Sequence, residues 1–357
     1  MITLFGATGY TGHLIARALD RRGLPFRIAG RSAGKLQALS QSLASRPSTL
    51  IADVRTPESL PALFSGARLL INCVGPFTDL GEPVVRLAAA HGAHYLDITN
   101  ELAYVYRLRQ YAKLAQQTGA AIVPACGFEV AIADCAVALL ARRFLGSIEE
   151  VSVVYSLGGS GMSIGTRLSG LRTFATSWLA YEDGKLKGRA PGSLVKRGVI
   201  NGRSYGAIYF PSAEVVTIPA HSRVRNVHAW MAISRRSAGL ASAIIPTISL
   251  LLRTPLGWLA AQIISRITPP PGEAMRAQSR FAIKIELNDS GKRRSQVWSG
   301  RDAYGLTGEI AAYAAQEMIR AGYSKAGVLA PAQALGPEGF LEWLKTEQAV
   351  VVQEDAA

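Results

Sequence analysis

Cysteine and histidine are scarce in this chain of 357 residues, which has three of one and five of the other. Cys73, Cys126 and Cys135 form no CxxC pair and are odd in number, so neither a disulfide framework nor a zinc ribbon is expected. The histidines form no HxxxH or HExxH pair, and no metal site is expected. Long apolar runs are also missing. The longest uncharged stretches, 151–166 and 237–252, have 16 residues each, short of the roughly 18–20 that span a bilayer. No signal peptide is read, because the first apolar run starts at Ile2 and leads straight into a glycine-rich turn. These absences make a cytoplasmic protein the expectation, with a membrane-peripheral one as the variant.

Acidic residues are short in one region only. Residues 140–300 carry 22 Lys and Arg against 8 Asp and Glu, whereas 1–139 carry 13 against 9 and 301–357 carry 4 against 8. The net charge of +14 therefore sits mid-chain. Such an excess attracts cofactor phosphates, an acidic protein, lipid headgroups or nucleic acid. Arg outnumbers Lys 30 to 9, so codon usage and solvated charge are the plain alternative. What is abundant is apolar side chain: 49% hydrophobic residues against 18% charged is enough to bury cores in two domains.

The first 130 residues alternate short apolar strands (2–5, 26–29, 49–52, 69–73, 95–98, 121–124) with helical stretches (10–22, 33–44, 57–65, 82–91, 102–118). Strands without a polar face, separated by helices, predict a doubly wound parallel sheet of Rossmann type. The first turn reads Gly6-Ala7-Thr8-Gly9-Tyr10-Thr11-Gly12. Gly6 ends the strand, Gly9 lets backbone approach a pyrophosphate, and Gly12 lets the helix close on the sheet. Thr8, Tyr10 and Thr11 complete this cofactor turn. The end of the second strand, Ala29-Gly30-Arg31-Ser32 with Lys35 a turn later, lacks the acid that would take a ribose 2′-hydroxyl. Arg31 suits a 2′-phosphate instead, with Ser32 capping the next helix and donating to it, so NADPH is the expected cofactor. Asp53 is placed to meet the adenine edge or to cap its own loop. Asn72, Gly75 and Pro76 belong to a loop expected beside the nicotinamide ribose, leading to Phe77.

The segments 6–12, 29–32, 72–77, 95–101 (Tyr95-Leu96-Asp97-Ile98-Thr99-Asn100-Glu101) and 126–134 (Cys126-Gly127-Phe128-Glu129-Val130-Ala131-Ile132-Ala133-Asp134) resemble the saccharopine dehydrogenase-like oxidoreductases. The look is nearest to the branch of trans-acting enoyl reductases of polyketide-lipid biosynthesis. Further likeness at 160–167, 211–219, 269–279, 304–312 and 328–336 extends it over nearly the whole chain. Asn100 stands where the family often has Gly, and 129–134 keeps only the two acids of the family's Asp-Ser-x-Pro-Ser-Asp pattern. Both departures fall where substrate is expected.

Beyond residue 130, apolar alternation at 148–157, 206–218, 224–233, 278–288 and 293–300 predicts a mainly antiparallel sheet in an α+β substrate domain. A helix is expected at 164–180, with apolar helices at 238–252 and 255–266. Domains are drawn at 1–130, 131–303 and 304–357, the last returning to the Rossmann domain as the resemblance implies. The segment 238–266, flanked by Arg235, Arg236, Arg253 and Arg266, reads as a core or homodimer hairpin, or as a surface for a long acyl chain or a membrane.

Candidate proton donors are Glu101 and Glu129, then Asp97; Cys126, Phe128, Ser163 and Thr166 are expected near substrate. Glu129 and Asp134 have capping of a helix near Ile132 as their plain alternative. Gly161-Met162-Ser163-Ile164-Gly165 matches the nucleophile-elbow pattern, but the main sheet is committed to a dinucleotide and a hydrolase is rejected. Three functions remain: reduction of a C=C bond in an acyl or polyketide substrate, reduction of an imine, or NADP or lipid-surface binding without catalysis. An imine bearing carboxylates calls for arginines, with Arg167, Arg172, Arg223 and Arg225 available, whereas an acyl chain calls for apolar surface. Expected partners are a small-molecule or acyl substrate and an acidic acyl carrier protein, and not nucleic acid.

Overall fold

The computed structural model describes residues 1–355 apart from Leu145, Ser160, Ser177 and Ser290, and only the backbone of Arg235, Arg236 and Asp355. Ser160, which opens the resembling segment 160–167, thus lies outside the described residues, as do the side chains of Arg235 and Arg236. The chain forms two units: Met1–Asn100, Tyr104–Phe128 and Tyr304–Leu335 in the first, Glu101–Ala103, Glu129–Ala303 and Gly336–Ala357 in the second.

The first unit runs β1 (Ile2–Phe5), α1 (Tyr10–Arg21), β2 (Phe26–Gly30), α2 (Ala33–Gln41), β3 (Thr49–Ile51), β4 (Leu69–Asn72), α3 (Phe77–Leu80), α4 (Glu82–His91), β5 (His94–Asp97), α5 (Leu102–Arg107), α6 (Ala112–Thr118) and β6 (Ala121–Val123). The strands form one parallel sheet, β3-β2-β1-β4-β5-β6, extended at β6 by Gly327–Val328. Ile2, Leu4, Leu69, Leu70 and Ile71 are fully buried, as strands covered on both faces must be. The helix expected at 57–65 is replaced by two 3₁₀ turns, Pro57–Ser59 and Pro61–Phe64. Pro61 has no N–H to give the Pro57 carbonyl, so an α-helical ladder is not built there although Leu60 keeps helical backbone. The helix expected at 102–118 is broken by the 3₁₀ turn Leu108–Tyr111.

The second unit contains α7 (Phe128–Ala141), β7 (Ile148–Gly158), α8 (Ile164–Ala175), β8 (Trp178–Glu182), β9 (Lys185–Arg189), β10 (Val195–Ile200), β11 (Arg203–Tyr209), α9 (Glu214–Thr217), β12 (Val224–Ile233), α10 (Arg235–Leu252), α11 (Pro255–Ile267), α12 (Glu273–Gln278), β13 (Arg280–Asp289) and β14 (Lys292–Arg301). Its sheet runs β10-β11-β12-β7-β13-β14, with β8 on β12 and β9 on β8. The pair β12–β7 is parallel and the others are antiparallel. The helix expected to reach residue 180 stops at Ala175, and β8–β9 turns through Asp183 and Gly184 at φ 51° and 77°. Asn201-Gly202 makes the same left-handed turn between β10 and β11, which matches the twist of a two-residue hairpin. Inside the sheet, Glu286 meets Lys196 (2.7 Å), Lys284 (3.2 Å) and Arg293. Burial would raise its pKa, but these cations hold it down at about 2.

The segment expected to return as a whole, 304–357, is divided. The helix α13 (Ala303–Ile319) is followed by residues through Leu335 that belong to the first unit, whereas Gly336–Ala357 joins the second. The strand Val351–Asp355 draws it there by pairing with β14. In the first unit, α13 lies against α1 at Gly308, where a Cβ would stand 3.1 Å from the Leu14 carbonyl carbon and 3.2 Å from its oxygen. Gly308→Val therefore wedges the two helices apart. It is expected to destabilise the chain by about 1–3 kcal/mol, the usual cost of overpacking, read as a lower melting temperature.

Candidate functional site

The β1–α1 turn is built around backbone that leaves no room for side chains. Gly6 has φ +82°, and a Cβ there would lie 2.9 Å from Val74 Cγ2. A Cβ on Gly12 would lie 2.2 Å from the Gly6 carbonyl oxygen. That oxygen accepts from the N–H of Gly9 (3.0 Å), and the N–H groups of Gly6 and Ala7 donate to Ala29 O (2.9 and 3.2 Å). The turn is thereby tied to the end of β2. Helix α1 starts at Tyr10 with Gly9 as N-cap, without a side-chain cap or an acid in its first turn. The positive end of its dipole is left for an anion. Tyr10 packs edge-on against Tyr304 at 5.0 Å; Thr8 and Thr11 complete the turn. This cradle fits a pyrophosphate.

At the end of β2, Arg31 and, one turn on, Lys35 are exposed, as a 2′-phosphate site requires. Ser32 occupies the N-cap of α2, yet its side chain makes no capping hydrogen bond, contrary to the capping expected of it. Asp53 Oδ1 accepts from Arg55 N at 3.0 Å and its backbone is held by Ser59, so one of its oxygens serves its own loop.

Next to the cradle lies a buried knot. Asp97 accepts from the Tyr95 and Tyr104 hydroxyls on Oδ2 (2.9 and 3.0 Å) and from Thr99 N and Ala125 N on Oδ1 (3.1 and 2.9 Å). Burial raises its pKa to about 6, against the lowering by those donors. Asn72 Nδ2 donates to Tyr95 Oη, and Asn72 Oδ1 accepts from Val74 N, which shapes the loop through Gly75 and Pro76. Phe77 packs tilted against Tyr104, with ring centroids 5.7 Å apart. Cys126 is buried, with its N–H on Asp97 O, and Phe128 N donates to Thr307 Oγ1. Asn72, Phe77 and Cys126 thus act within the wall of this unit.

The acids of the second unit gather separately. Glu101 is buried and accepts from Ser169 Oγ at 2.6 Å. The helix expected to begin near Ile132 begins at Phe128. Glu129 therefore stands in its first turn and Asp134 in its body, rather than both at a cap. Asp134 Oδ1 accepts from His221 Nε2 (3.0 Å), whose Nδ1 accepts from Ser222 (2.9 Å). Glu214 is fully buried, takes the Ser212 hydroxyl on Oε2, and has no partner for Oε1 among the described residues. Burial first, then the charges of Glu129 and Asp134, push its pKa well above the carboxylate range. Ser163 is the N-cap of α8: its Oγ accepts from Thr166 N (3.1 Å) and meets Thr166 Oγ1 (3.0 Å). His228 lies between Glu150 (3.3 Å) and Glu182 (3.2 Å). The elbow-like serine thus caps a helix, while both histidines are held by acids.

Residues 2–123 match the profile described as the saccharopine dehydrogenase NADP binding domain. This stretch is a saccharopine dehydrogenase-type NADP-binding domain. Over 176 residues, 45% of the chain, the sequence is 33% identical to a lipid droplet localized protein of Caenorhabditis elegans. Over 194 residues, 50% of the chain, it is 35% identical to a trans-acting enoyl reductase of Mycobacterium ulcerans. The matched stretches cover 41% and 46% of those proteins, so the chain spans less than half the length of either. An apo saccharopine dehydrogenase (L-Glu forming) of Saccharomyces cerevisiae superposes over 99% of both chains with a TM-score of 0.65 at 12% identity. That likeness shows a shared fold.

Glu214 escaped the sequence reading, although the resembling segment 211–219 contains it. Its one signal was a lone acid in an apolar run, Pro211-Ser212-Ala213-Glu214-Val215-Val216.

Two outcomes are expected. Arg31→Ala should weaken NADPH binding to the saccharopine dehydrogenase-type domain by about 1.5–3 kcal/mol and leave NADH binding unchanged, as read by fluorescence titration. Glu214 keeps its proton in the folded chain at pH values where the unfolded side chain ionises, so its contribution to stability is lost as pH rises above the usual carboxylate range. Glu214→Gln should remove that loss, up to about 1.4 kcal/mol per pH unit, in denaturation curves compared at pH 5 and pH 8.

Proposed function

We propose that the chain is an NADPH-dependent oxidoreductase that reduces a C=C bond of an acyl or polyketide-type substrate, delivered on an acidic carrier protein or on CoA. The glycine cradle with Arg31 carries the oxidoreductase part, because a domain of this type brings a nicotinamide cofactor to the chain. The likeness to trans-acting enoyl reductases over half the chain supports the choice of bond. The lipid-droplet name of the nematode relative supports an acyl substrate and a membrane-peripheral setting.

Bound NADPH supplies a hydride to the β-carbon of an acyl-activated C=C bond. The chain must then exclude water, hold the acyl carbonyl as it gains charge, and return a proton to the α-carbon. Glu214 suits the last task, since burial first, and then Glu129 and Asp134, keep its carboxyl from ionising. Glu101, oriented by Ser169, is the second donor.

The imine reading needs arginines for substrate carboxylates, and three of the four are engaged. Arg167 donates to the Ser265 and Thr268 carbonyls, Arg172 lies 5.1 Å over the Trp258 ring, and Arg225 pairs with Asp183 at 2.9 Å.

NADPH oxidation assayed with enoyl thioesters and cyclic imines tests the proposal. Turnover of enoyl thioesters is expected, lowered about 10²-fold or more by Glu214→Gln. Turnover of imines alone overturns the C=C assignment. Firm NADPH binding with no turnover of either class leaves a binding protein without catalysis.

A further inference from the structure

Helices α10 and α11 carry large apolar side chains on their outer faces as well as inside. On α10, Leu240, Ile244, Ile248 and Leu251 recur at helical spacing along one face, and on α11 Leu256, Leu259, Ile263 and Ile267 do the same. With Leu250 and Ile264 these make ten large apolar side chains, exposed from 40% at Ile248 to 79% at Leu256. The inward positions are mixed: Ile245 and Leu252 are buried in the core, together with the small or polar Ala238, Ser249, Ala261 and Ser265. Ten exposed leucines and isoleucines outside a face that is already packed inward suit helices whose outer solvent is not water.

The two helices meet at 105° across a short break, and neither is long and apolar enough to cross a membrane alone. The bend lays two apolar stripes out from one corner, as suits insertion into one leaflet. The pair is held to the body of its unit by arginines: Arg253 donates to Ala175 O (3.1 Å) and Thr176 O (3.3 Å), and Arg167 donates to Ser265 O (2.7 Å).

Charge selects the occupant. From residue 226 to 272 the sequence has no Asp or Glu and four arginines, Arg235, Arg236, Arg253 and Arg266, all within or bordering α10 and α11. A second copy of the chain would bring the same positive sequence to the contact and no acid to meet it. Anionic lipid headgroups around an apolar leaflet interior complement both the arginines and the stripes.

We propose that the exposed face of α10–α11 docks on an anionic lipid surface, with Leu240, Ile244, Ile248, Leu256, Leu259 and Ile263 entering the leaflet. This docking is independent of the reaction proposed above and is read without turnover. The whole chain is sedimented with vesicles of phosphatidylcholine alone and with phosphatidylglycerol added. Partition onto the anionic vesicles is expected, and Leu240→Ser/Ile248→Ser/Leu256→Ser/Ile263→Ser should reduce it by about tenfold or more. NADPH affinity should stay unchanged, which shows that the variant folds. A milder Leu256→Ala/Ile263→Ala variant should give an intermediate loss. The proposal is overturned if the chain stays in the supernatant with both vesicles. It is also overturned if the substitutions convert a dimer to a monomer without changing partition, which would assign the face to a second copy.

Discussion

The first unit depends on one buried carboxylate. Asp97 closes β5 and gathers two tyrosine hydroxyls and two backbone N–H groups, one of them on Ala125, which sits at φ +61°. A left-handed alanine is costly, and here a charge-assisted hydrogen bond holds it in place. Through Tyr95 the same knot reaches Asn72 and so the loop after β4. Thus the carboxyl ends of β4 and β5 and the chain leaving β6 are fixed relative to one another at the edge of a parallel sheet where ligands bind. The glycine cradle at the end of β1 can stay bare of side chains because its neighbours are positioned by this network rather than by its own contacts.

That division of labour explains what was legible in the sequence. A cradle that must exclude Cβ atoms leaves glycines at fixed spacing, and Gly6 and Gly12 are read directly because backbone atoms stand 3.0 Å and 2.2 Å from where their Cβ would be. Parallel strands buried on both faces leave uninterrupted apolar runs, so the sheet was legible too. Asp97 was visible as a strand-end acid, but its partners are dispersed from residue 72 to residue 125, and no local spacing joins them. Glu214 is harder still. Its raised pKa comes from burial first and then from Glu129 and Asp134 on a helix some eighty residues earlier, and its own sequence neighbours are mostly apolar residues of a short turn.

Where the elements themselves were missed, the reason is local. The β8–β9 hairpin has a charged outer strand, Lys185-Leu186-Lys187-Gly188-Arg189, with too little apolar alternation to read as a strand. Its Asp183-Gly184 turn, like Asn201-Gly202, was the available signal, since both require left-handed backbone. The last segment divides because its helix α13 answers to α1 through Gly308, whereas its final strand completes an edge of another sheet. Helical periodicity carries no information about which partner an element will meet.

The same limit bears on the basic middle of the chain. Part of its charge is structural: Lys196, Lys284 and Arg293 surround Glu286, Arg189 meets Glu182, and Lys187 and Arg225 share Asp183. These pairs need no outside partner. Apart from them stands the acid-free stretch 226–272, where Arg235, Arg236, Arg253 and Arg266 accompany the most exposed leucines and isoleucines among the described residues. A helix apolar on nearly every side has no sequence-level mark of inside and outside; the packing inward of Ile245, Ser249, Leu252 and Ser265 decides it. Arginines in a stretch without acids, beside an exposed apolar corner, are best explained by a neighbour that is both anionic and oily.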